Sequence, residues 1–296
     1  MKKTVFQFAL IIGLQLSITT NAQQAEQITV SVPDFARPLV EKWTEEYQKN
    51  NANVLFKFTA ATQEKQHNSI SVATTDDAVL VARYALLPVA SIESDAGQRI
   101  GSRGLNAKRL KSLFFVQEDY EDASKKEKRE QELHIITGNS QQSASRLYAT
   151  HFHKEIFEFK GKKIQGDDSF LNIAMTRDPL GVTVNFLSNI YDLGNRQLLK
   201  TLVLLPLDID RRGRQVLSEG QLDDIIQLLE NEQYAEIPIG NVGLDYNHSN
   251  PLLSDFVNWI LTNGLQYVHQ YGLLSLTQKQ LIVQRERVEG TELAQK

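Results

Sequence analysis

Asn139, Ser140, Ser143, Ser145 and Arg146 gather in one polar stretch, Thr137-Gly-Asn-Ser-Gln-Gln-Ser-Ala-Ser-Arg146, directly after the apolar run Leu133-His-Ile-Ile136. Hydroxyl, amide and guanidinium donors at the start of a helix suit the capture of an oxyanion, because charge-assisted bonds and unpaired backbone amides converge there. Helix capping and loop solvation would use the same residue types, so both roles stay open. Ser31 and Asp34 occupy an equivalent place earlier in the chain, between the alternating Ile28-Thr-Val-Ser-Val32 and the helical stretch from Pro38 to Tyr47. Their oxygens are expected to accept hydrogen bonds from the amides that open that helix. Arg83 is the one charge in the run from Ala78 to Ala90, and it either points into a cleft or snorkels from a strand edge.

Other chemistry has little support. His151, His153 and Glu155 alternate along a predicted helix, where residues two apart do not share a face, so no metal site is expected. No nucleophile elbow, phosphate-binding glycine loop or paired-carboxylate motif stands out, and neither catalysis nor a cofactor is expected. Arg211-Arg-Gly-Arg214 reads as a solvated basic turn.

The elements that must position these residues follow from periodicity. Leu39, Val40, Trp43 and Tyr47 line one side of the first helix, entered through Pro38. Val54 to Phe58 is a strand, Ile70 to Val72 a weak one, and Ala78 to Ala90 a buried strand broken at Pro88. A short helix spans Leu105 to Phe115. Glu118 to Glu132 is a charge run of mixed sign. Helix is expected over Leu147 to Phe159, Ser169 to Ala174 and Gln221 to Asn231, and strand over Leu180 to Leu187, Gln197 to Leu207 and Ile237 to Tyr246. Pro251 opens a helix whose apolar residues recur until Gly272. Alternating strands and helices indicate an α/β protein with largely parallel sheets in two lobes. The chain would cross between lobes twice, so residues 28–90 with 239–288 form one lobe and 91–238 the other.

Lys2 and Lys3 precede the apolar run Val5 to Leu16, and Thr20-Asn-Ala22 closes it, which reads as a cleaved signal peptide over residues 1–22. With no cysteine in the chain, disulfides, thiolate metal sites and a lipid-bearing cysteine are excluded. A net charge of −4, from 32 basic and 36 acidic residues, offers nothing to nucleic acid or an anionic membrane. A soluble periplasmic or secreted monomer is expected.

Four stretches in this order resemble the extracytoplasmic phosphate-binding proteins of ABC importers, which have the type II periplasmic binding protein fold. They are Pro38 to Tyr47; Ala78 to Val89 with Gly104 to Phe114; Ser143-Ala-Ser-Arg146 with Phe152; and Asp255 to Ile260 with Tyr267 to Leu276. The resemblance implies two lobes closing over a small oxyanion, phosphate in that family, and delivery to an ABC permease. It implies ligand contacts at Ser143, Ser145 and Arg146, facing Ser31 and Asp34. The family's Ser-Gly-Thr motif is Ser143-Ala-Ser145 here, and Ser31-Val-Pro-Asp-Phe-Ala36, directly before the first helix, has no glycine. These departures leave a second reading open, in which the same fold has lost its anion loops and binds another envelope protein, a peptide or a glycan.

Overall fold

β1 (Glu26–Ser31) forms as its alternation requires, with Ile28 and Val30 fully buried. The structure is a computed structural model that describes residues 26–60, 67–101, 103–116, 132–140 and 142–293. The predicted signal segment and residues 118–131 of the charge run lie outside the described residues. α1 (Arg37–Gln48) buries Leu39, Val40, Trp43 and Tyr47, the stripe read from the sequence. Trp43 has no exposed surface, and its Nε1 donates to the carbonyl of Gly264 at 2.8 Å. A Cβ at position 264 would stand 2.9 Å from that nitrogen, so glycine is what permits the approach.

The chain continues through β2 (Val54–Thr59), β3 (Ser69–Ala73), β4 (Val79–Ser91), α2 (Ala96–Ile100), α3 (Ala107–Phe114) and β5 (His134–Gly138). Next come α4 (Ala144–His151), β6 (Lys162–Ile164), α5 (Ser169–Thr176), β7 (Gly181–Phe186), α6 (Leu187–Ile190), β8 (Tyr191–Asp192), β9 (Gln197–Leu198) and β10 (Leu202–Leu204). The last elements are α7 (Arg211–Glu219), α8 (Leu222–Asn231), β11 (Ile239–Tyr246), α9 (Pro251–Asn263) and α10 (Gln278–Leu293). Among the described residues no helix is long and apolar enough to cross a membrane.

Among the described residues the main sheet has nine strands in the order β2-β1-β3-β11-β4-β7-β5-β6, with β10 added alongside β4. Its flanks are parallel, β1 with β2 and β3, and β5 with β6 and β7. Its centre is antiparallel, which corrects the expectation of a largely parallel arrangement: β4 leaves one strand group and β11 returns to it as β4's neighbour, so the two must run in opposite directions.

β4 is unbroken and buried along all 13 residues. From Val79 to Ala85 it pairs with β11, and from Leu86 to Ala90 it pairs with β7, so both strand groups share it. Pro88 does not interrupt it, because the position needs no donor. Its carbonyl accepts from the amide of Leu205 at 2.9 Å, and Pro88 keeps register with Val184.

Several local readings shift. In the run from Leu147 to Phe159 the α-helix ends at His151 and only a 3-10 turn follows, at Ile156–Glu158, while α4 starts earlier, at Ala144. The expected strand from Gln197 to Leu207 is two short strands, β9 and β10. Arg211-Arg-Gly-Arg214 is the first turn of α7, because Asp210 accepts the Gly213 amide at 2.8 Å and caps it.

Candidate functional site

A cleft of about 430 Å³ opens where the starts of α1, α4 and α5 come together. The β1–α1 turn contributes Pro33, Asp34 and Phe35, the β5–α4 loop Ser140 and Gln142, and the start of α5 Asp167, Asp168 and Ser169, with Asn189 of α6 beside them. Phe35 is held by stacking on Phe186 at the end of β7, with ring centroids 4.0 Å apart and planes 11° from parallel. Gln142 Nε2 donates to the carbonyl of Val72 at 3.2 Å, a further tie from the α4 loop to β3.

Of the residues predicted from sequence, Asp34 and Ser140 line this cleft. Asp34 is 65% exposed, with Arg37 Nε 3.8 Å away. Ser31 does not reach the helix start, because its Oγ donates to the carbonyl of Ala60 at 3.1 Å. Neither it nor Asp34 caps α1 through a side chain. The backbone carbonyl of Pro33 takes the Ala36 and Arg37 amides instead, each at 3.1 Å.

Ser143 Oγ caps α4, accepting the Arg146 amide at 3.2 Å and donating to the Ser140 carbonyl at 3.0 Å. Ser145 is fully buried, and its Oγ accepts the Gly138 amide at 2.9 Å. Thus both hydroxyls serve the loop's own backbone. Among the described lining residues neither Asn139 nor Arg146 appears; Asn139 is exposed, and Arg146 Nε is buried without a hydrogen-bond partner among the described residues. Arg83 faces a different cavity, which shares no lining residue with this one.

Sequence reasoning missed the most informative side chains, Asp167 and Asp168. Asp168 Oδ2 accepts the first amide of α4, that of Ala144, at 2.8 Å. A carboxylate oxygen of the chain therefore sits where a helix N-terminus would hold a bound oxyanion. Asn185 Nδ2 steadies it by donating to the Asp168 carbonyl at 2.7 Å. Asp168 is 9% exposed, and its Oδ1 is buried without a partner among the described residues. Burial raises its pKa to about 7, neighbouring Asp167 and Asp34 add to the rise, and the Ala144 amide opposes it. Asp167 Oδ1 in turn accepts the Ser169 amide at 2.9 Å at the start of α5. The run Gly166-Asp-Asp-Ser169 before an apolar stretch was the available signal, though it reads as ordinary capping.

Several solved structures share this arrangement of elements. An ABC-type phosphate transport receptor from Vibrio cholerae is 9% identical, with a TM-score of 0.55 over 84% of this chain and 100% of that one. The chain has the type II periplasmic binding protein fold. A phosphate-bound structure assigned to a phosphate ABC transporter substrate-binding protein from Clostridium perfringens gives 10% identity and a TM-score of 0.56, over 85% and 100% of the two chains. A possible phosphate binding protein from Planctomyces limnophilus gives 11% and 0.53, over 90% and 99%. No family model and no curated protein matches the sequence. At these identities the likeness is one of fold.

Proposed function

We propose that this protein is an extracytoplasmic solute-binding protein that takes a small oxyanion, phosphate first among them, into the cleft between α1, α4 and α5 for an ABC importer. One observation carries the reading. The chain holds a carboxyl oxygen of its own at 2.8 Å on the first amide of α4, an arrangement that supports acid-oxygen binding in this cleft. The fold it shares with phosphate-binding and transport-receptor structures supports the same role. In this reading residues 28–90 with 239–288 act as one lobe and residues 91–238 as the other, hinged at β4 and β11, and the signal segment directs export.

The carboxylates set the form of the ligand. Asp34 and Asp167 stand in the cleft wall, and no lysine or arginine does so among the described residues. An oxyanion that carries its own proton can donate to one of these carboxylates. A fully ionised one would only be repelled. Isothermal titration of phosphate and sulfate at pH 6 and pH 8 tests this. Phosphate is expected to bind more tightly at pH 6, where Asp168 is largely protonated, and sulfate to bind weakly at both. No heat from phosphate at either pH, in the natural chain and in Asp168→Asn alike, would overturn the oxyanion reading.

The same acidic wall favours a second reading, an interaction module that binds another envelope protein, a peptide or a glycan. Pull-down from an envelope extract separates the two. Recovery of permease subunits supports the receptor, and recovery of other envelope components supports the module.

A further inference from the structure

Arg83 lies in the pairing zone of β4 and β11, and only 7% of its surface is exposed. Its backbone is pinned on both sides, with the amide donating to the Leu274 carbonyl and the carbonyl accepting the Leu274 amide, each at 2.8 Å. Nε donates to the carbonyl of Ser275 at 2.8 Å. A guanidinium has five N–H donors in a fixed plane. The remaining four, on the two Nη atoms, have no acceptor among the described residues, and neither Nη atom is sealed off from the surface. Arg83 is part of the wall of a cavity of about 440 Å³.

Glu230, whose field reaches Arg83, does not pair with it. Glu230 is committed elsewhere, one oxygen accepting both from the Ser275 amide and from His269 Nε2 at 2.7 Å, and it makes no ion pair with Arg83 among the described residues. The cavity wall adds apolar surface from Ile237 and Ile239, and neutral polar groups from Gln233, Tyr234 and Thr277. A buried guanidinium held in place by one neutral bond, with its fork left open, is costly unless an anion completes it.

We infer that the cavity over Arg83 is a second binding site, which takes the carboxylate end of a small organic acid. The chemistry favours a carboxylate over a dianion. Two parallel Nη donors match its planar pair of oxygens, a single positive charge balances a single negative one, and Ile237 and Ile239 offer cover to an apolar body. A second negative charge would find no further arginine or lysine in the described wall, where His151 already engages the Ala235 carbonyl through Nε2 at 3.1 Å, and Glu230, whose field already reaches Arg83, would oppose it. Because the occupant would touch β4 and β11 together, it would bear on the strands that join the two strand groups. This site stands independently of the oxyanion reading of the first cleft.

The test is isothermal titration of the full chain at pH 7 with butyrate, inorganic phosphate and chloride at matched ionic strength. Butyrate is expected to saturate with a dissociation constant below about 10 mM. Arg83→Gln should weaken it about tenfold or more, as the loss of a charge-assisted pair predicts. Asp168→Asn should leave it unchanged. If Arg83→Gln does not fold, Gln233→Glu serves instead, since it sets a negative charge in the same wall from an exposed position and should likewise weaken binding about tenfold or more. Butyrate heats no different from those of chloride, or affinity that survives whichever variant folds, would overturn the proposal. Arg83-dependent binding of phosphate without binding of butyrate would overturn the carboxylate assignment.

Discussion

The two cavities are nearly equal in volume, about 430 and 440 Å³, and opposite in their electrical state. Around the first cleft the helix starts are already satisfied from within. Asp168 sits on the Ala144 amide, Asp167 on the Ser169 amide and Ser143 on the Arg146 amide. In the second, Arg83 keeps two amino groups open. A cavity's lining alone therefore says little about its ligand; what matters is which donors the chain has left unpaired.

The largest expected effect comes from removing the charge of Asp168. Its folded pKa of about 7 lies above the ordinary 3.8, so the folded chain retains a proton that the unfolded chain releases. Stability from this group is thus fully present below about pH 4, declines as pH rises toward 7, and is flat above it, a span of roughly 4 kcal/mol. In Asp168→Asn that decline should vanish, and urea unfolding at pH 8 should show a more stable protein than the natural chain. Equal pH slopes in the two proteins would mean that the first cleft does not hold a buried charge, and the contrast between the cavities would fail.

A smaller loss is expected for Phe35→Ala, which removes the ring stacked on Phe186 and with it one wall of the first cleft. About 3 kcal/mol of stability should go, by analogy with other buried aromatic truncations. Butyrate binding at Arg83 should be untouched. Coupled losses at both sites would show that the cavities respond as one.

Ser143→Ala should cost least, about 1 kcal/mol from the lost cap. Phosphate affinity should hold, because the hydroxyl is spent on the loop's own backbone. A tenfold loss of phosphate affinity would return Ser143 to the ligand and weaken the claim that this helix start is internally filled.

Much of the fold was legible because local pattern and burial agree. The α1 stripe and the apolar face of α9, with Leu253, Phe256, Val257, Ile260 and Leu261 buried, lie where periodicity put them. α10 escaped because its charged residues spread around the helix and leave only a thin line of anchors, Gln284 and Val288 among them. The site was harder to read for a different reason. Asp168 is adjacent to α5 in sequence but spends its oxygen on α4, 24 residues away, and capping rules describe only the helix that follows. Arg83 was legible as an isolated charge in an apolar strand, but which face it would serve depended on β11 and on Ser275, far along the chain.

The opening of β4 is completed by residues 274–287. The Leu80 amide donates to Gln284 Oε1 at 3.1 Å, Arg287 Nη1 donates to the Ala78 carbonyl at 3.1 Å, and Arg83 exchanges both its backbone bonds with Leu274. During synthesis the side-chain partners emerge 204 and 209 residues after the strand positions they complete. The half of the sheet built on β1, β3 and β11 therefore cannot close as residues 26–91 leave the ribosome, and the nascent chain stays open there until residues 274–287 have followed.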